Sequence, residues 1–118
     1  MVLPIAETLV LASGGTLIVV SLELWADGIV LHTVEPVRTR GILRGTTPTR
    51  PNWIITDDTG TEYEPALFAA GRWLSGRLRR TFCFVPPPPT EATKFRLQRE
   101  GAEPGQEITI EIPPGRRP

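Results

Sequence analysis

The sequence predicts an all-β protein, a single antiparallel β-sandwich of about seven strands. Thirteen Pro and 11 Gly are spread through the 118 residues without a period, and they cut the chain into segments too short for ordinary helices. The segments between these breaks are rich in β-branched and aromatic residues, and several alternate apolar with polar side chains. We therefore expect one β-sandwich domain over residues 1–112, followed by a disordered tail at residues 113–118.

The clearest hairpin lies near the N-terminus. The apolar stretch Thr16–Trp25 is followed, after an Asp-Gly turn, by a second apolar run at residues 29–34. Tight hairpin turns require positive φ, so Gly28 is expected to supply that backbone geometry. Period-2 alternation in the first strand places its even-numbered apolar residues on the core face: Ile18, Val20, Leu22 and Leu24.

The rest of the chain divides into strands, one long loop and one segment of helical character. Residues 36–51 contain four Arg and no acid, which predicts a long loop with at most one short edge strand. Residues 65–76 have the composition of one or two helical turns that link strands. Four prolines at residues 86–89 must end the strand before them. The other predicted strands are residues 52–56, 61–64, 77–85, 93–99 and 107–112.

Charge and cysteine content limit the partners and the compartment. Thirteen basic and 13 acidic residues cancel, which disfavours nucleic acid and membrane surfaces as partners. The single cysteine, Cys83, allows no intramolecular disulfide. Residues 1–15 lack a basic start and contain Glu7, a poor match to a signal peptide, and no apolar run approaches the roughly 20 residues that span a bilayer. These features together predict a cytoplasmic protein.

Part of the sequence resembles a known domain family. Residues 53–63 (WIITDDTGTEY), 82–86 (FCFVP) and 94–97 (KFRL) follow the order of strands and turns in telokin-like, immunoglobulin-type β-sandwich domains of bacterial proteins. The likeness covers residues 53–97, under half the chain, and its motifs are turn and core signals. It implies a single immunoglobulin-like antiparallel β-sandwich with a non-catalytic binding or accessory role, and it indicates no ligand.

No catalytic residue, metal or cofactor is predicted. His32 is the only histidine and no nucleophile elbow accompanies it, while one Cys and one His cannot complete a zinc site. A small enzyme or ligand-binding module would instead need at least two of His32, Cys83 and the Asp57-Asp58 turn in one pocket. The acidic residues around that turn could attract calcium, but an Asp-initiated, Gly-terminated hairpin turn explains them better.

The strongest candidate for a contact surface lies at residues 66–74. This connection has more apolar area than a plain loop requires, so it either caps the core or contacts another protein. The predicted interaction residues are Phe68, Arg72, Trp73 and Leu74. We therefore expect a non-enzymatic protein-interaction domain that binds a second copy of itself or another protein. Thr16–Trp25 is the strand that we expect the partner to share or cover. Weak nucleic-acid binding through two Arg clusters is the alternative, at Arg38, Arg40, Arg44 and Arg50 and at Arg72, Arg77, Arg79 and Arg80.

Overall fold

The computed structural model describes residues 1–10, 16–36, 53–74, 77–99 and 106–112. Their architecture is all-β and antiparallel, which confirms the predicted class. These ranges contain eight strands, one more than predicted, because residues 2–10 also form a strand. They are β1 (Val2–Val10), β2 (Thr16–Trp25), β3 (Gly28–Pro36), β4 (Trp53–Asp57), β5 (Glu62–Leu74), β6 (Arg77–Val85), β7 (Lys94–Arg99) and β8 (Ile108–Glu111).

The strands form one curved sheet that nearly closes on itself. Their order is β1-β2-β3-β6-β5-β4-β7-β8. The outermost strands β1 and β8 approach each other without pairing, and the Gln106 side-chain amide donates to the Val10 carbonyl across the gap. The core fills the inside of this barrel-like sheet. Its largest fully buried apolar side chains are Phe84, Phe95, Leu22, Ile29, Leu31, Ile55, Leu97, Ile108 and Val19.

A β-bulge changes which face of β2 is buried. Leu17 and Val19 are buried in the first half of the strand, whereas Leu22 is buried in the second half. The register against β3 shifts after Val19, so the alternation of side chains reverses there. The prediction that even-numbered positions face the core is therefore wrong for Ile18 and Val20, which are only half-buried, and right for Leu22.

Register shifts also occur in the edge strand β1 and in β5. The register of β1 against β2 shifts between Pro4 and Glu7, where Ala6 has a φ of 53°. The register of β5 against β6 shifts twice, between Pro65 and Leu67 and between Ala69 and Arg72. Bulges increase local twist and bend the strand, so these shifts account for a sheet that curls almost into a barrel.

Residues 65–74 belong to β5, so the prediction of helical turns at residues 65–76 is wrong over residues 65–74, and residues 75–76 lie outside the described residues. Helix propensity is a weak preference that tertiary pairing overrides, and here β6 offers a partner along the whole segment. The prediction for Gly28 also fails, since the glycine with positive φ among the described residues is Gly60, at 87°.

Several predictions fall on residues outside those described. The loop at residues 37–51 with its Arg cluster and the tail at residues 113–118 are among them. One domain over residues 1–112 stays a prediction. Across the described ranges, the structure contains no helix with the length and hydrophobicity needed to cross a membrane.

Candidate functional site

Among the strands that the structure describes, β5 has a partner on one side only over most of its length. β5 pairs with β6 through to Leu74, but it pairs with β4 only at Glu62 and Tyr63. β4 begins at Trp53 and continues its own ladder with β7 instead. In the part of the chain that the structure describes, the edge of β5 that faces away from β6 is therefore unpaired over residues 66–74. We call this stretch the open β5 edge.

All four predicted interaction residues lie on the open β5 edge. The sequence placed them in a loop, whereas the structure places their backbone in a strand. An unpaired strand edge presents a row of N–H and C=O groups that a further strand can pair with. In register with β6, Phe68 is opposite Phe82, Arg72 opposite Arg79, Trp73 opposite Leu78 and Leu74 opposite Arg77.

The other candidate edges are less suited to pairing. β2 was expected to be shared or covered by a partner, but it lies between β1 and β3 and pairs with both. The outer edge of β1 contains Pro4, which has no N–H, as well as the exposed charge of Glu7 and a bulge at Ala6. Proline, charge and bulges are features that keep edge strands from pairing. The open β5 edge is thus the better template of the two.

A chain of hydrogen bonds crosses the outer face of three neighbouring strands. His32 Nε2 lies 2.5 Å from Glu23 Oε2, and His32 Nδ1 lies 3.2 Å from Thr81 Oγ1. A carboxylate only accepts, so Nε2 donates to Glu23, and in the neutral imidazole Nδ1 then accepts from the Thr81 hydroxyl. Trp25 Nε1 donates to the other oxygen of Glu23 at 3.0 Å. The chain links β6, β3 and β2 by side chains.

The hydroxyl–imidazole–carboxylate order of this chain resembles that of a hydrolytic triad, but its setting differs. β3 and β6 are interior strands paired on both sides, so their backbone amides are used by the sheet rather than available to an oxyanion. Cys83 shares the outer face, and its register partner is Val30, not His32. Asp57 is the last residue of β4, and Asp58 follows it in the β4–β5 connection. These groups occupy two separate places in the fold.

The acidic turn is stabilised by its own donors. Asp57 accepts hydrogen bonds from the backbone of Thr59 and Thr61 and from the hydroxyls of Thr59 and Tyr63. Asp58 accepts from the backbone and hydroxyl of Thr93. Among the described residues, no group of three or more His, Cys, Asp or Glu side chains could hold a metal ion. The two carboxylates therefore stabilise the turn and its contact with Thr93, the residue before β7.

Protonation of Asp57 should weaken the fold. Burial alone would raise the pKa of this carboxyl, but the hydrogen bonds from Tyr63, Thr59 and Thr61 lower it below the ordinary value of 3.8. A lowered pKa contributes stability that is present above pH 3.8 and is lost as the pH falls through the folded-state pKa. We expect Asp57→Asn to cost about 1–2 kcal/mol in urea unfolding at neutral pH.

The difference between Asp57→Asn and the wild type should shrink toward zero in acid, since the wild-type carboxyl is then neutral too. Asp27→Asn is the matched control, an exposed turn carboxylate in the first hairpin. It should change the unfolding free energy little at either pH. An undiminished deficit of Asp57→Asn in acid would contradict the assignment of the stability to the ionised carboxylate.

Arg77, Arg79 and Arg80 of the predicted Arg cluster do not share one surface. Arg77 and Arg79 are exposed, whereas Arg80 is buried and forms an ion pair with Glu35. Alternation along β6 puts consecutive residues on opposite faces, so no strand could present all of these cations together. Arg80 is a functional candidate that the surface-patch interpretation missed, although its place between Leu78 and Phe82 on the apolar face was visible in the sequence.

Comparisons with known proteins give no relatives for this chain: no family model, no curated protein and no solved structure matches it.

Proposed function

We propose that this chain is a non-enzymatic protein-interaction domain that associates with a second copy of itself by strand addition at the open β5 edge. The observation that carries the proposal is that, among the described strands, β5 has a partner on one side only over residues 66–74, the side of its ladder with β6. Strand addition uses backbone hydrogen bonds for affinity and side chains at alternate positions for specificity.

The composition of the edge and the charge of the chain support a self-complementary contact. Two copies of β5 can pair antiparallel about a twofold axis, so that the same surface is used by both chains. The formal net charge is zero, and two copies therefore do not repel each other as a whole. Arg72 and Trp73 are residue types that are enriched among the dominant contacts of protein interfaces.

Two finer assignments accompany this proposal. Core residues come from β1, β2, β3, β6 and β5 and also from β4, β7 and β8, and the pairing of β4 with β5 is limited to Ile55–Tyr63 and Thr56–Glu62. This limited pairing supports two facing layers, as in an immunoglobulin-like sandwich. A cytoplasmic location is proposed on the single free cysteine, Cys83.

The test is the mass in solution, measured by light scattering on a size-exclusion column over a concentration series. We expect a stable multiple of the 13.0 kDa chain, with Trp73→Ala shifting the mass toward the monomer. Trp25→Ala is the matched control because it removes the same side chain from β2, where Trp25 is 52% exposed, outside the proposed interface. It should leave the mass unchanged.

Amide hydrogen exchange gives a second readout that does not depend on a substitution. Association through the open β5 edge should slow exchange of amides in residues 66–74 as concentration rises, while amides of β1 stay unchanged. A monomer at all concentrations with unchanged exchange at residues 66–74 would refute self-association. A dimer whose protection appears only at β1 would assign the interface to the other edge.

A further inference from the structure

A polar cluster lies on the inner face of the sheet, at the end where β3 finishes and β4 begins. Trp53 is 3% exposed and points into the core, and its register partner on β7 is Arg99. Directly opposite residues of antiparallel strands project from the same face, so Arg99 projects inward as well. On β6, Arg80 is opposite the buried Thr33 and is likewise directed inward.

The charges within this cluster do not balance. Arg80 is 5% exposed, and its Nη2 lies 3.1 Å from Glu35 Oε1. Burial lowers the pKa of Arg80, the Glu35 carboxylate raises it, and the positive charge of Arg99 lowers it further. Arg80 is therefore acted on by one carboxylate and one further guanidinium, and Arg80, Arg99 and Glu35 together carry one net positive charge.

Within the described part of the chain, two hydrogen-bond donors of the cluster have no acceptor. Trp53 Nε1 and Arg99 Nε are both buried and unpartnered. Leaving a buried donor unpaired costs about 1–3 kcal/mol, more for a charged group, and such groups are rare in native proteins. Both orphaned atoms are donors, and they lie on directly opposite residues of β4 and β7. The cluster therefore needs a hydrogen-bond acceptor. Its net positive charge favours an acceptor that is negatively charged.

We propose that this inner cluster is a binding site for a small oxyanion group, which accepts hydrogen bonds from Trp53 Nε1 and Arg99 Nε. Arg80 and Arg99 supply the positive charge, while Glu35 fixes the Arg80 guanidinium. Guanidinium groups pair well with carboxylate and phosphate oxygens, the two chemistries that share this donor requirement. The inference is independent of self-association, since it uses the inner face rather than the edge of β5.

The test is titration of the protein with sodium phosphate, sodium sulfate and sodium acetate, with sodium chloride at matched ionic strength as the reference. Indole N–H signals are followed by ¹H–¹⁵N NMR, and Trp53→Phe identifies the Trp53 signal. We expect a saturable shift of the Trp53 indole, and none of the Trp25 indole, which already donates to Glu23. Tighter phosphate and sulfate binding would assign a tetrahedral anion, and tighter acetate binding a carboxylate.

Arg99→Gln should weaken the binding about tenfold or more, because it removes the charge and the Nε donor together. Arg96→Gln is the matched control on the same strand: Arg96 is exposed and bridges to Glu107, so binding should stay within about twofold. Arg99→Lys, which keeps the charge but lacks the guanidinium, should also weaken binding if Arg99→Gln does not fold. An unshifted Trp53 indole, or equal weakening by Arg96→Gln and Arg99→Gln, would overturn the proposal.

Discussion

Glu35→Ala is expected to lower the free energy of unfolding by about 3 kcal/mol, because it leaves the Arg80 guanidinium buried without its carboxylate. Arg80 is 5% exposed, so water cannot replace the lost partner. The charge of Arg99 acts on Arg80 in the same direction as burial, and with Glu35 removed nothing described in this cluster offsets the two cations. Equilibrium urea unfolding at neutral pH measures the effect.

Two further variants separate burial from simple charge loss. Glu111→Ala breaks the exposed Lys94–Glu111 pair and should cost less than about 1 kcal/mol, since solvent screens both partners. The double variant Glu35→Ala with Arg80→Met should regain most of the lost stability, because an apolar side chain needs no counter-charge. If Glu35→Ala and Glu111→Ala lowered the free energy of unfolding by the same amount, burial of the Arg80–Glu35 pair would add nothing to the cost of breaking it.

Strands with strict alternation were predictable from the sequence alone. The strands at residues 77–85 and 93–99 were predicted, and their alternating side chains are buried on one face: Leu78, Arg80, Phe82 and Phe84 in β6, and Phe95 and Leu97 in β7. β6 and β7 each face the core on one side. The ladder of β6 with β3 and the ladder of β7 with β4 contain no bulge. The period of 2 therefore survives from sequence to structure.

Features that depend on a partner strand were not predictable. β1 has mostly exposed side chains and no clear alternation, so its strand character comes from pairing with β2. β5 has Ala, Leu and Gly where strands prefer β-branched residues, and β6 supplies the ladder that holds it extended. The reversal of faces in β2 requires knowledge of the bulge against β3, which composition does not encode.

The candidate sites combine residues that are distant in sequence. Thr81 and His32 are 49 positions apart, and they meet because β3 pairs with β6 rather than with the next strand in the chain. Trp53 and Arg99 are also distant in sequence. Their unpaired donors belong to directly opposite residues only because β4 pairs with β7. Single residues were visible in the sequence, while their juxtaposition depends on strand order.

Gly28→Ala is expected to destabilise the fold by about 3 kcal/mol, the upper part of the range for overpacking a filled site. Gly28 opens β3 with an ordinary φ, and a Cβ there would collide with the carbonyl oxygen of Phe84 on β6. That oxygen is backbone, so relief requires moving the β3–β6 ladder itself.

Gly60→Ala is the matched control for Gly28→Ala, with the opposite physical problem. A Cβ at Gly60 would meet open space, but the φ of 87° is unfavourable for alanine and should cost about 1 kcal/mol. Urea unfolding of both variants compares steric overlap with backbone strain directly. A smaller loss for Gly28→Ala than for Gly60→Ala would mean that β3 and β6 separate easily at this end, which contradicts the close approach of their backbones.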